Sequence, residues 1–262
     1  DFVYPPPALA AAAGGYGRPL DLEKLAPSAL LAYPLIVTRV DPAASRPPAA
    51  YRLLWHGRYY QVWGRRPGAR AALAHVALSG SPAARCATIK RLAQAPAAGG
   101  RERLVAARAP RIVRIPLARS AHPSDWGRER KALVMGDPGT LRARFTLPAS
   151  GTWELWVQGD IMPTVRIDVD GRPLATISGQ LSGNSLVPDT TPAIAVQLLA
   201  GAHRLTLTRT SPGLGPGETG SAVLDAIFLT PANDSPTLRS VPLARWRSLC
   251  AGEYQWIEIQ AP

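Results

Sequence analysis

The sequence predicts a mainly β protein: a β-sandwich of short strands, preceded by a smaller α+β portion. Three observations carry this expectation. Apolar and polar residues alternate with period two through one segment after another between Thr140 and Pro231, the signature of strands with one buried face. Turn formers, Pro-Ala-Ser-Gly at 148–151, Asp170-Gly171 and Gly201-Ala202, punctuate those segments at short intervals. No apolar pattern at helical spacing interrupts the region.

Taken in order, residues 1–34 mix Pro5-Pro6-Pro7, an alanine tract and Gly14-Gly15, with a short helix expected around Leu20 to Leu25. Leu35 to Val40 is a strand ended by Asp41-Pro42. Tyr51 to Trp55 and Arg58 to Trp63 are two strands around a turn at His56-Gly57, followed by a basic turn from Gly64 to Gly68. Ser81-Pro82 opens a helix, with serine as N-cap and proline at the first helical position; on it Cys86, Ile89 and Leu92 share a face. Ala95 to Arg101 breaks that helix.

The sandwich begins with Arg111 to Pro116. Ser120 to Arg130 is expected to be a polar loop, and Lys131 to Met135 a strand. Thr140 to Leu147, Thr152 to Gln158, Val165 to Asp170, Pro173 to Ile177, Ala193 to Leu199, Arg204 to Arg209 and Ser221 to Leu229 follow as strands. Trp153, Leu155, Val157, Ile167, Val169, Leu205 and Leu207 are the predicted interior. Ser178 to Thr191 and Ser211 to Gly220 are the long loops, and a last strand falls near Tyr254 to Ile259. Domain bounds are therefore 1–110, 111–232 and 233–262, the last segment returning to the N-terminal part. There are no internal repeats.

A chain of 262 residues with 46% hydrophobic content holds a substantial core. Its 30 basic residues, all but Lys24, Lys90 and Lys131 arginine, outnumber 18 acidic ones and leave a net charge of +12. That balance has a bland reading, arginine-rich composition, and a functional one, attraction to anionic headgroups or acidic glycans. Nucleic acid is not expected as a partner, because the arginines are scattered singly rather than gathered on one element. The longest apolar run, Ala8 to Ala13, is far below the roughly 20 residues that a membrane-spanning helix needs. No secretory signal is visible, and the start at Asp1 reads as a processed or excised piece. Cys86 and Cys250 fit no metal-ligand spacing. They are either two buried thiols or a disulfide, worth roughly 4–5 kcal/mol in the chain-entropy model for so long a loop and durable only outside the reducing cytosol.

The order Phe145-Thr-Leu-Pro-Ala-Ser-Gly-Thr-Trp-Glu-Leu-Trp-Val157, then Val169-Asp-Gly171, Val196 to His203 and Leu224 to Leu229 resembles the galactose-binding-like jelly roll of carbohydrate-binding modules. With Tyr51 to Trp63, Cys86 at the helix and Leu249 to Glu258, the wider chain resembles the extracytoplasmic C-terminal region of actinobacterial polytopic membrane glycosyltransferases, including arabinosyltransferase-like ones. The resemblance implies a jelly-roll sandwich in a non-catalytic extracytoplasmic domain near the membrane, with cell-envelope glycan as partner. It also implies that the catalytic carboxylates lie in a membrane portion outside this chain.

Candidate site residues follow from the strand phase. With Trp153, Leu155 and Val157 inward, Trp156 points outward beside Glu154 and Gln158, a stacking platform for a sugar with polar groups for its hydroxyls; the alternative is an indole covered by another part of the chain or a partner. Trp126 sits in the polar loop with His122, Asp125 and Arg128; the alternative there is an aromatic plug at the core's edge. Asp168 and Asp170 alternate on one strand face in the manner of calcium ligands, yet solvent exposure and the turn account for them, and Arg111 to Pro116 lacks the acidic residue a structural calcium of such modules would use. No cofactor is expected. His75 and His203 read as isolated, and no Gly-x-Ser-x-Gly elbow is present. Two functions stay open: a carbohydrate-binding domain, and a docking module whose basic surface meets lipid headgroups or its own membrane protein. An exposed aromatic platform favours the first; a buried Trp156 with a continuous arginine patch favours the second.

Overall fold

The computed structural model describes residues 22–95, 101–115, 117, 120–129, 132–179, 190–210, 220–232 and 237–261. The chain forms two units, Arg111–Asp234 and, flanking it in sequence, Asp1–Pro110 with Ser235–Pro262. The flanking unit opens with a 3-10 turn, Leu22–Lys24, and a single helical turn α1 (Pro27–Leu30). Strands β1 (Leu35–Arg39), β2 (Tyr51–His56) and β3 (Tyr60–Arg65) form an antiparallel sheet in the order β1-β3-β2. One face, carrying Tyr51 and Trp63, closes on Leu25 and Leu30. The Trp63 indole N–H donates to Thr38 Oγ1 at 3.0 Å, and the single Tyr51 hydroxyl proton is shared between the carbonyls of Leu30 and Tyr33. β4 (Ala74–Ala77) leads to helix α2 (Pro82–Ala93), capped as its sequence predicts: Ser81 accepts from the Ala84 amide and Pro82 stands at the first turn. β5 (Arg103–Arg108) follows.

The second unit is a β-sandwich. Its strands are β6 (Val113–Ile115), β7 (Gly127–Glu129), β8 (Ala132–Met135), β9 (Gly139–Leu147), β10 (Gly151–Ile161), β11 (Val165–Val169), β12 (Arg172–Ile177), β13 (Thr190–Leu198), β14 (Gly201–Arg209) and β15 (Ala222–Pro231). One sheet runs β13-β10-β15-β8-β7 with β6 also on β15, and the other runs β12-β11-β14-β9. Their inner faces share one core that includes Leu141, Phe145, Trp153, Leu155, Val157, Ile167, Leu205, Leu207 and Ile227. All seven residues predicted as interior are buried, so the register read from the alternation holds, as a core-facing strand requires. At the β11–β12 hairpin Asp170 and Gly171 both take positive φ, 53° and 79°, which asparagine, aspartate and glycine tolerate. Gly159 has φ 155° at an irregularity in the β10–β15 pairing; a Cβ there would lie 2.2 Å from the Val223 carbonyl oxygen, so only glycine fits.

β16 (Leu238–Pro242), a 3-10 stretch Leu243–Leu249 and β17 (Tyr254–Gln260) complete the flanking unit, whose second sheet has the order β16-β5-β17-β4. A disulfide joins Cys86 on α2 to Cys250 after the 3-10 stretch. It links two sequence segments that have the entire sandwich between them.

Several expectations change. The segment expected as a polar loop from Ser120 to Arg130 contains β7, paired to β8. β4, β5 and β16 carry no alternation to announce them: in β5 four consecutive residues, Leu104 to Ala107, are buried because both faces are covered. The long loops at 180–189 and 211–219 lie outside the described residues, as does the lead-in up to residue 21.

Candidate functional site

The residues expected to bind glycan do not form an open site. Trp156, opposite Phe228 of β15, does share a face with Glu154 and Gln158, which stand opposite Thr230 and Ala226, but it is only 3% exposed. Its indole N–H donates to Thr230 Oγ1 at 2.8 Å, and its ring stacks on Phe228 with centroids 6.5 Å apart. The Arg114 guanidinium lies 5.8 Å over the Phe228 ring. A buried indole whose N–H is satisfied contributes to packing and offers no face to a sugar, so Trp156 is not the stacking platform its outward strand position predicts. Trp126 belongs to the sandwich core, donates to the Asp137 carbonyl at 2.9 Å and stacks near His122. It is the edge plug. Arg128 is exposed, but on β7, three strands away from β10 in the sheet; Trp126 and Arg128 are therefore not assembled with Trp156.

The two histidines read as isolated are both paired. His75 and Glu258 stand directly opposite on β4 and β17, with Nδ1 and Oε1 2.8 Å apart. Glu258 is fully buried; its Oε2 accepts from the Ala49 amide and from Gln260 Nε2. Nearby, Arg46 lies 5.2 Å over the Trp63 ring. Burial and the Arg66 charge lower its pKa to about 10, against the opposing pull of Glu258. Every Glu258 oxygen has a protein partner, so this cluster ties β17 to β4 and to the loop before β2. His203 Nδ1 meets Asp170 Oδ2 at 2.7 Å and its Nε2 lies 2.9 Å from the Leu199 carbonyl oxygen. Burial opposes charging of His203, but the bonds to Asp170 and Leu199 outweigh it and raise its pKa. Asp170 is held low despite its own burial cost, by His203 and the Arg204 amide. Asp168, expected to be solvent-exposed, is 8% exposed and paired with Arg166 Nε at 3.1 Å. Asp168 and Asp170 thus each have a protein partner, and no group of three or more His, Cys, Asp and Glu side chains able to hold a metal occurs among the described residues.

Among the described residues, two sheet faces present side chains to solvent. The outer face of the sandwich's four-stranded sheet carries Thr140, Arg142, Arg144 and Thr146 on β9, Arg204, Thr206 and Thr208 on β14, and Arg166 and Asp168 on β11. Its arginines are exposed. The outer face of the three-stranded sheet carries Leu35, Val37, Leu54 and Trp55, all half or more exposed. The Trp55 ring lies against Gly57, where a Cβ would come within 2.2 Å of it, and Leu54 lies against Gly64. The signal for the first face was present in the sequence as the polar half of each alternation. The second rests on a pairing irregularity between Leu53 and Trp55, which places Leu54 and Trp55 together and which alternation cannot reveal.

No protein family and no curated protein matches the chain. Among solved structures it is similar to the CBM36-1 domain of a multidomain xylanase from the hindgut metagenome of Trinervitermes trinervoides, with 15% identity, 48% of this chain and 98% of that one covered, and a TM-score of 0.34. It is similar to CBM35 from Paenibacillus barcinonensis, with 13% identity, 44% and 95% covered, and a TM-score of 0.34. An exo-β-1,3-galactanase from Phanerochaete chrysosporium bound to galactose gives 18% identity, 46% and 30% covered, and a TM-score of 0.33; the chain thus spans less than a third of that enzyme.

Proposed function

We propose that this chain is a non-catalytic carbohydrate-binding domain that holds cell-envelope glycan on the outer side of the plasma membrane, beside a membrane glycosyltransferase. The observation that carries the reading is the outer face of the β12-β11-β14-β9 sheet. It is polar across its strands, keeps Arg142, Arg144, Arg166 and Arg204 exposed while Asp168 is buried against Arg166, and sets threonine hydroxyls beside guanidinium groups. Sugars are recognised through hydroxyl hydrogen bonds of this type, each contributing about 1 kcal/mol net. A handful of them supports affinities in the millimolar to micromolar range, suited to raising local glycan concentration. The Cys86–Cys250 disulfide supports an oxidising location. Titration of the protein with envelope-type arabinan, galactan and mannan fragments and with acidic oligosaccharides, followed by NMR, tests the reading. Shifts on β9, β11 and β14 are expected; no shift with any glycan at millimolar concentration would overturn it.

A second reading, docking to a membrane or membrane protein, is favoured by the buried Trp156 together with the apolar face at Leu35, Val37, Leu54 and Trp55. Arg52 stands on that sheet, and Arg58 lies over the Tyr59 ring at the hairpin. An indole with aliphatic neighbours and nearby guanidinium groups matches the headgroup boundary of an anionic bilayer. Co-sedimentation with acidic vesicles, and its loss in Trp55→Ala, tests this reading.

A further inference from the structure

We infer that the outer face of the sandwich's four-stranded sheet takes acidic glycans, that is, polysaccharides bearing anionic groups, with Arg144 and Arg204 as the central contacts. The inference rests on the carbohydrate-binding reading and narrows its ligand class. Arg144 of β9 and Arg204 of β14 are direct cross-strand partners on the outer face, so their Cβ atoms stand roughly 5 Å apart. Two like charges placed directly opposite one another destabilise a sheet. Arg142 lies two residues along β9, roughly 7 Å away. This makes a cluster of three guanidinium groups on one surface.

The neighbouring carboxylates are engaged elsewhere. Asp168 pairs with Arg166, while Asp170 gives one oxygen to His203 Nδ1 and the other to the Arg204 backbone amide, at 2.7 and 2.8 Å. Among the described residues, the guanidinium groups of Arg142, Arg144 and Arg204 have no hydrogen bond or ion pair. An anion laid across them would convert the repulsion into charge-assisted, fork-like hydrogen bonds.

The chemistry of the face selects a glycan over a bilayer and an acidic glycan over a neutral one. No large apolar side chain on these strands is exposed, so nothing would enter the hydrocarbon of a membrane. The hydroxyls of Thr146, Thr206 and Thr208 alternate with the arginines and suit a polyhydroxylated ligand. The aromatic residues of the sandwich, Trp126, Phe145, Trp153, Trp156 and Phe228, are buried. Neutral sugars therefore have no ring to stack on here, and charge becomes the dominant source of affinity.

Short oligogalacturonates and their methyl esters, identical in backbone and different in charge, are the probes. By calorimetry the acid form is expected to bind at least tenfold more tightly than the ester, with affinity falling as salt passes the screening regime of about 0.1 M. Arg144→Gln and Arg204→Gln should each weaken it roughly tenfold, the scale of one hydrogen bond to a charged group, while Arg91→Gln on α2 removes the same charge without effect. Circular dichroism verifies the fold of each variant, and Arg204→Lys, which keeps the charge but loses the fork, should lie between. Equal binding of acid and ester would overturn the acidic preference and leave glycan binding standing; binding of neither would remove both. Binding to acidic vesicles without binding to oligogalacturonate, or equal weakening by Arg91→Gln, would also overturn the inference.

Discussion

Trp156 and Trp55 are the same residue type on outward strand positions, and the protein treats them oppositely. Trp156 sits mid-strand in the sandwich, stacked on Phe228, bonded through its N–H to Thr230 and almost wholly buried. Trp55 sits at the end of β2 in the flanking unit, 56% exposed, its ring resting on the backbone at Gly57. Strand phase does not decide whether an outward aromatic is available to a ligand. The decision lies with what meets it on the neighbouring strand: Phe228 opposite and Thr230 diagonally in one case, Val62 across a pairing irregularity in the other.

The largest effect that separates the two regions should come from truncation. Trp156→Ala is expected to destabilise the protein by about 3–5 kcal/mol, as buried Trp→Ala changes do, whereas Trp55→Ala should stay within about 0.5 kcal/mol. Urea unfolding of both variants checks this, and similar costs for the two would break the contrast.

Breaking the disulfide comes next. Cys250→Ser should lower stability by roughly 2–5 kcal/mol, and hydrogen exchange should locate the loss in β4, β5, β16, β17 and α2 while the sandwich core keeps its protection. Uniform loss across the sandwich would show that the two units do not unfold separately.

A smaller effect is set by pH. The folded pKa of His203 is raised, so its pairing with Asp170 adds stability that is fully present below the unfolded histidine value of about 6.5 and lost as pH rises through the raised one. Asp170 is depressed; its share is present above about 3.9 and lost as pH falls through the lowered value. An NMR titration of the His203 ring should show a midpoint above the ordinary histidine value, moving down in Asp170→Asn. An unchanged midpoint would remove the pair from the account.

The smallest expected change sharpens the comparison at Trp55 itself. Gly57→Ala puts a methyl where the indole ring now lies, so the ring must lift. Stability should fall by no more than about 1 kcal/mol, while tryptophan fluorescence shifts and any vesicle binding weakens.

Much of the sandwich could be read from residue order alone. In β9, Leu141, Ala143, Phe145 and Leu147 are buried and Arg142, Arg144 and Thr146 exposed, because a strand with one wet face must alternate. The Asp170-Gly171 hairpin and the Ser81-Pro82 helix start were equally local matters, set by allowed φ and by a cap. β5 carries no such signal because Leu104, Val105, Ala106 and Ala107 are buried on both faces, which erases the alternation. The pairings of His75 with Glu258 and of His203 with Asp170 join residues distant in sequence, which no local pattern encodes. The same holds for the site. That Arg142 and Arg144 face outward was determined by the sequence of β9. That Arg204 stands directly opposite Arg144, and that Trp156 meets Phe228 and Thr230 instead of solvent, was decided by strand register in the folded sheets. Period two chooses which face a side chain takes, and only tertiary structure chooses its neighbours there.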